Sequence, residues 1–103
     1  MLGDVSPSFL IHRSGGTIDL FCEATANPEA TLIWYKDGEE LVANDRVIFG
    51  VGRIQIRHLR PEDGGVYTCT FKNLVGQVSH VIKFIIEGKI EAIDKSDILN
   101  SNN

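Results

Sequence analysis

The side chains best able to support chemistry in this chain are three histidines, two cysteines and scattered acidic residues. His12, His58 and His80 stand at no metal-ligand spacing to one another or to a cysteine, so the pattern gives no support for a zinc site. The sequence contains no glycine-rich phosphate loop and no Gly-x-Ser-x-Gly nucleophile motif. We therefore predict no catalytic residues, no bound metal and no cofactor, and we interpret the histidines as surface side chains.

The two cysteines, Cys22 and Cys69, allow one disulfide bond. A bridge over so long a segment would stabilise a small domain by about 4 kcal/mol, because it restricts the unfolded chain. Two buried thiols, as in a cytosolic protein, are the alternative. We favour the disulfide.

Length and composition favour one globular domain. The chain has 103 residues, of which 43% are hydrophobic, and this is enough for a single core. The net charge of -4 and the absence of basic clusters argue against a nucleic-acid partner. No apolar run is long enough to span a bilayer, and residues 1–4 lack the features of a secretory signal. We predict a domain over residues 1–88 and a polar tail or linker, disordered by composition, over residues 89–103.

Apolar and polar residues alternate with period two along most of the chain, and the strands that this predicts must position the cysteines and histidines. This pattern predicts an all-β, two-sheet antiparallel Greek-key sandwich of seven or eight short strands. A first edge strand is expected around Phe9, with that ring inward, and a short return strand at residues 41–42. The side chains expected to face inward on the other strands are Ile18, Leu20, Cys22, Leu32, Trp34, Lys36, Val47, Phe49, Ile54, Ile56, Tyr67, Cys69 and Phe71.

The order of these residues resembles a known family. Gly16 to Cys22, Trp34-Tyr35-Lys36-Asp37-Gly38, Asp63 to Cys69 and Asn73-Leu74-Val75-Gly76 are together similar to an intermediate-set (I-set) immunoglobulin module over residues 5–87. The resemblance implies a Cys22–Cys69 bridge packed against Trp34, in a core with Leu20 and Ile56. It also implies that Tyr67 is a tyrosine-corner residue and that Asp63 forms a structural salt bridge with Arg46. We weigh a catalytic Asp63 against this and reject it, because no second acid or base is expected near it.

Modules of this kind act as spacers and protein-binding surfaces. The resemblance therefore implies a non-enzymatic interaction module of a larger extracellular adhesion, receptor or matrix protein, whose partner is another protein or a second copy of the chain. One alternative is a cytoplasmic, sarcomeric module that serves as a mechanical spacer. Another is an accessory domain of a larger enzyme.

One surface has enough exposed apolar residues to suggest a binding site. The alternation places Ile33, Tyr35, Val81 and Ile85 outward on adjacent strands, whereas Phe21 faces outward on the opposite sheet. A register slip near Gly76 that turns Val81 and Ile85 inward is the alternative. The predicted partner-binding residues are Ile33, Tyr35, Thr68, Thr70, Val81, Lys83 and Ile85.

Overall fold

The structure is a computed structural model that describes residues 2–88. Over this range the chain forms short strands joined by tight turns, with one 3-10 turn at Pro61–Asp63. The strands are β1 (Leu2–Val5), β2 (Phe9–Arg13), β3 (Ile18–Ala24), β4 (Thr31–Lys36), β5 (Glu39–Glu40), β6 (Val47–Gly50), β7 (Arg53–Ile56), β8 (Gly65–Lys72) and β9 (Gln77–Glu87).

The strands form two sheets, and the prediction of an all-β sandwich is confirmed. One sheet has the strand order β1-β3-β7-β6 and the other has the order β2-β9-β8-β4-β5. The pairs are antiparallel except for β2 and β9, which run parallel. The period-two alternation gives each sheet one apolar face, and the two apolar faces pack together.

The core lies between the sheets and consists mainly of residues expected to face inward. Phe71 and Leu32 are partly buried and pack against its margin. Three alternate residues of β9, Ile82, Phe84 and Ile86, are also buried, so one side of the second half of that long strand faces the core. The buried apolar residues are Leu20, Cys22, Trp34, Val47, Ile54, Ile56, Leu59, Tyr67, Cys69, Ile82, Phe84 and Ile86.

The prediction for the first strand was wrong, because the chain crosses from one sheet to the other. β1 pairs with β3 in the four-stranded sheet, whereas β2 pairs with β9 in the five-stranded sheet. Ser6 fixes the crossing: its N–H donates to the Phe21 carbonyl at 2.9 Å, and its hydroxyl accepts the Phe21 N–H at 2.8 Å. The crossing resets the alternation, so Leu10 packs against the core and Phe9 points outward with 52% of its surface exposed.

Two smaller expectations also need correction. Phe49 lies opposite the buried Ile54, on the core side of its sheet, yet it is 45% exposed. It lies toward the end of the edge strand β6, whereas Val47, two residues earlier on the same strand, is buried. The short return strand is β5, at Glu39–Glu40, and not residues 41–42.

The predicted tail, residues 89–103, lies outside the described residues. Within residues 2–88, no helix has the length and apolar character needed to cross a membrane.

Candidate interaction surface

The disulfide bond connects the two sheets at the centre of the sandwich. Cys22 of β3 is bonded to Cys69 of β8, and their Cα atoms are 6.5 Å apart. Trp34 lies directly opposite Cys69 in the β4–β8 ladder and is only 2% exposed. Leu20 and Ile56 are buried in the same cluster. The disulfide and the buried cluster hold the two sheets together, and so fix the positions of the strands on which the outer side chains lie.

Arg46 and Asp63 form a bidentate ion pair at one end of the sandwich. Arg46 Nη1 lies 2.7 Å from Asp63 Oδ2, and Arg46 Nη2 lies 2.9 Å from Asp63 Oδ1. The Asn44 side chain accepts the N–H groups of Arg46 and Val47, and so fixes the backbone just before β6. The 3-10 turn after Arg60 holds Asp63, whose carboxylate also accepts the Arg60 N–H at 2.8 Å.

Contact between Arg46 and Asp63 stabilises the charged form of each side chain. Burial alone would raise the pKa of Asp63, but the hydrogen bonds from Arg46 and the Arg60 N–H outweigh it, so the pKa lies below its ordinary value. The hydrogen bond to Asp63 raises the pKa of Arg46. Both groups are therefore charged at neutral pH.

Tyr67 completes a structural corner. Its hydroxyl donates to the Asp63 carbonyl four residues earlier, and burial raises the pKa of this phenol well above its ordinary value. The Asp63 carboxylate, its backbone carbonyl and the Tyr67 hydroxyl are all engaged in these contacts. The arrangement stabilises the chain reversal before β8.

The histidines lie apart from one another. His58 is exposed, and His12 is half-buried. His80 is also half-buried, and its Nε2 lies 2.6 Å from the Ser6 carbonyl at the strand crossing, so it is more than a surface side chain. In the part of the chain that the structure describes, no three His, Cys, Asp or Glu side chains are grouped to hold a metal ion.

The predicted partner-binding residues share the outer side of the five-stranded sheet. Tyr35, Thr68 and Val81 lie in one row across β4, β8 and β9, and Ile33 and Thr70 lie in the next row. Val81 and Ile85 are 45% and 48% exposed, so no register slip turns them inward. Ile33 and Tyr35 are half-buried.

Three further apolar residues of this surface were missed from the sequence. Phe9 and Ile11 of β2 and Val66 of β8 are exposed on the same side. Val66 directly precedes the inward Tyr67, so the alternation alone could have identified it. Phe9 and Ile11 could not be assigned without knowing that β2 pairs with β9. We call the whole surface the five-stranded face: Phe9, Ile11, Ile33, Tyr35, Val66, Thr68, Thr70, Val81, Lys83 and Ile85.

The apolar part of this face adjoins a shallow groove of about 370 Å³. Its lining combines Phe9, Val66 and Ile85 with Pro61 and the backbone of Gly64. Phe21, on the opposite sheet, is 42% exposed, but its cross-strand neighbour is Arg53. The larger group of adjoining apolar side chains is therefore on the five-stranded face.

Comparison with known proteins agrees with this architecture. A family model described as an immunoglobulin domain matches residues 4–73. The chain belongs to the immunoglobulin superfamily. The vascular endothelial growth factor receptor 2 of Mus musculus is 40% identical over 79 residues, which are 75% of this chain and 6% of that protein. The cell adhesion molecule Dscam2 of Drosophila melanogaster is 31% identical over 102 residues, which cover 84% of this chain and 5% of that protein.

Solved structures show the same immunoglobulin fold. Immunoglobulin domains 1-4 of Sidekick-1 match with a TM-score of 0.79 and 29% identity, over 84% of this chain and 24% of that chain. This immunoglobulin domain thus spans a small part of the relatives that it matches.

Proposed function

We propose that this immunoglobulin domain is a non-enzymatic protein-interaction module of a larger extracellular adhesion, receptor or matrix protein, and that it binds through the five-stranded face. One observation carries the proposal. Five apolar side chains on three neighbouring strands of that face are exposed together. They are Phe9, Ile11, Val66, Val81 and Ile85.

The size of this group distinguishes it from ordinary surface residues. Single exposed apolar side chains are common on any protein and need no explanation. Five adjoining ones expose roughly 400 Å², which is within the range of functional patches on soluble proteins. The threonines Thr68 and Thr70 keep the middle of the face flat, so a partner can approach closely.

Two findings support an extracellular location. The Cys22–Cys69 disulfide is the kind of bond that persists in oxidising compartments. The similar proteins include a growth factor receptor and a cell adhesion molecule. Both favour this location over a cytoplasmic one in the sarcomere.

An adhesion experiment tests the proposal. Cells that display the 103-residue chain on a tether are mixed with labelled cells that do not display it, and aggregates of both kinds are counted. We expect display-dependent aggregation that falls at least fivefold with Val81→Lys or Ile33→Glu. Phe21→Glu, a charge on the opposite sheet, is the matched control and should leave aggregation unchanged. No aggregation, or loss with Phe21→Glu but not with the other two, would contradict the proposal.

A further inference from the structure

The parallel pairing of β2 and β9 creates a short stripe at one end of the five-stranded face. In the ladder, Phe9 lies opposite Lys83, Ile11 opposite Ile85, and Arg13 opposite Glu87. All six side chains are exposed, and successive rows are about 7 Å apart because outward residues recur every second position. The stripe therefore has an apolar middle row, a row with a cation beside an aromatic ring, and a row with both charges.

Lys83, Arg13 and Glu87 form no ion pair closer than 4.0 Å with another described residue. Among residues 2–88, the ion pairs closer than 4.0 Å are Lys36–Asp37 and Arg46–Asp63. Neither pair includes Lys83, Arg13 or Glu87. Covering the apolar rows with a second surface would desolvate these charges, so that surface must supply opposite charges in matching positions.

A second copy of the same stripe meets this requirement. A two-fold axis along the Ile11–Ile85 row exchanges the two outer rows. Lys83 then faces Glu87 of the second copy, and Phe9 faces Arg13 of the second copy, where a guanidinium can stack on the ring. The isoleucines of the middle row face their own counterparts. Two-fold contacts require such self-complementarity, which an arbitrary pattern of charges does not have.

We propose that this chain forms a two-fold homodimer through the β2–β9 stripe, with reciprocal Lys83–Glu87 ion pairs around a centre of Ile11 and Ile85. The proposal rests on the proposed function and adds a second copy of the chain as a further partner, bound at one end of the five-stranded face. The rows that contain Val81 and Ile33 lie outside the three rows that form this contact.

The expected dimer is weak. The stripe can bury roughly 500 Å² per copy, which places the interface at the small end of specific contacts, and a micromolar or weaker dissociation constant is expected. A weak contact of this size suits a domain that is one of many in a longer chain, because tethering several such contacts strengthens them together.

A charge exchange tests the pairing directly. The 103-residue chain is studied by sedimentation equilibrium from about 10 μM to about 1 mM, a range that brackets the expected dissociation constant. Lys83→Glu and Glu87→Lys should each weaken the dimer at least tenfold, because the symmetry makes every substitution act twice. The double variant Lys83→Glu/Glu87→Lys should return the dissociation constant to within about threefold of the original, since it restores both pairs with reversed polarity.

Matched controls separate pairing from net charge and from unfolding. Arg53→Glu and Glu23→Lys make the same charge changes on the opposite sheet and should leave the dimer unchanged. Each variant's melting temperature verifies that it is folded. A chain that stays monomeric, or a double variant as weak as the single ones, would overturn the proposal.

The adhesion experiment distinguishes this failure from that of the proposed function. A monomeric chain whose aggregation with non-displaying cells is still lost on Val81→Lys would overturn the dimer alone. The proposed function alone would be overturned if the dimer weakened in both single charge variants and recovered in the double variant, while Val81→Lys and Ile33→Glu left aggregation unchanged.

Discussion

Replacing Asp63 by asparagine should destabilise the domain far more than loss of a surface ion pair. The aspartate carboxylate accepts hydrogen bonds from Arg46 Nη1, Arg46 Nη2 and the Arg60 N–H, and only 11% of its side chain is exposed. Asparagine keeps one oxygen acceptor but turns an N–H₂ group toward the arginine. The guanidinium would then be left without a counter-charge.

The structure places the cost between two limits. Breaking a fully buried pair costs about 3 to 5 kcal/mol, whereas an exposed pair contributes about 0.2 to 1 kcal/mol. The Arg46 side chain is 21% exposed, and its Nη1 also donates to the Arg57 and His58 carbonyls at 3.3 and 3.4 Å. Water and these carbonyls compensate part of the loss. We expect Asp63→Asn to lower the free energy of unfolding by about 2 to 3 kcal/mol, and the melting temperature by about 10 to 20 °C.

The effect should depend on pH in a defined direction. The pKa of Asp63 is lower in the folded protein than in the unfolded chain, so the folded state binds its proton less readily. Its stabilising contribution is therefore complete above the ordinary carboxyl pKa of about 3.9 and is lost as the pH falls through the lowered value. The difference in stability between the original chain and Asp63→Asn should shrink once the pH falls below about 4.

Urea denaturation at pH 7 and pH 3, followed by Trp34 fluorescence, measures both effects. A double-mutant cycle with Arg46→Ala should give a coupling of at least about 1 kcal/mol at pH 7. A coupling near zero, or a stability difference that grows as the pH falls, would refute the reasoning.

The other predictions concern the core and the corner. Thiol titration in denaturant without reductant should find neither Cys22 nor Cys69 reactive, and reduction should lower stability by about 4 kcal/mol; two reactive thiols would contradict the bridge. Trp34→Ala should cost about 3 to 5 kcal/mol, since it empties a central core position, and an unchanged denaturation midpoint would count against this packing. Tyr67→Phe should cost about 1 to 2 kcal/mol, because the Asp63 carbonyl loses its donor; equal stability would mean that water replaces the hydroxyl.

The sequence by itself determined the centre of the sandwich. The Cys22, Trp34 and Cys69 pattern, with period-two alternation around each residue, was enough to predict three core strands and their inward sides. These predictions succeeded because central strands are covered on their inner side by the opposite sheet, so the direction of a side chain also decides its burial. The alternation also placed Val81 and Ile85 outward.

Only the tertiary structure decided what happens at the sheet edges. Phe49 has the inward phase but is exposed. The alternation could not predict this exposure, because no sequence pattern shows how far the opposite sheet extends. Phe9 was expected to face inward but points outward, because the chain crosses between the sheets at Ser6. This crossing is fixed by hydrogen bonds to Phe21, fifteen residues away. The placement of Phe9 beside Lys83 and of Ile11 beside Ile85 in the stripe likewise depends on the register of β2 against β9. That register joins residues more than 70 positions apart, as Phe9 and Lys83 are, and local periodicity holds no information about contacts over such distances.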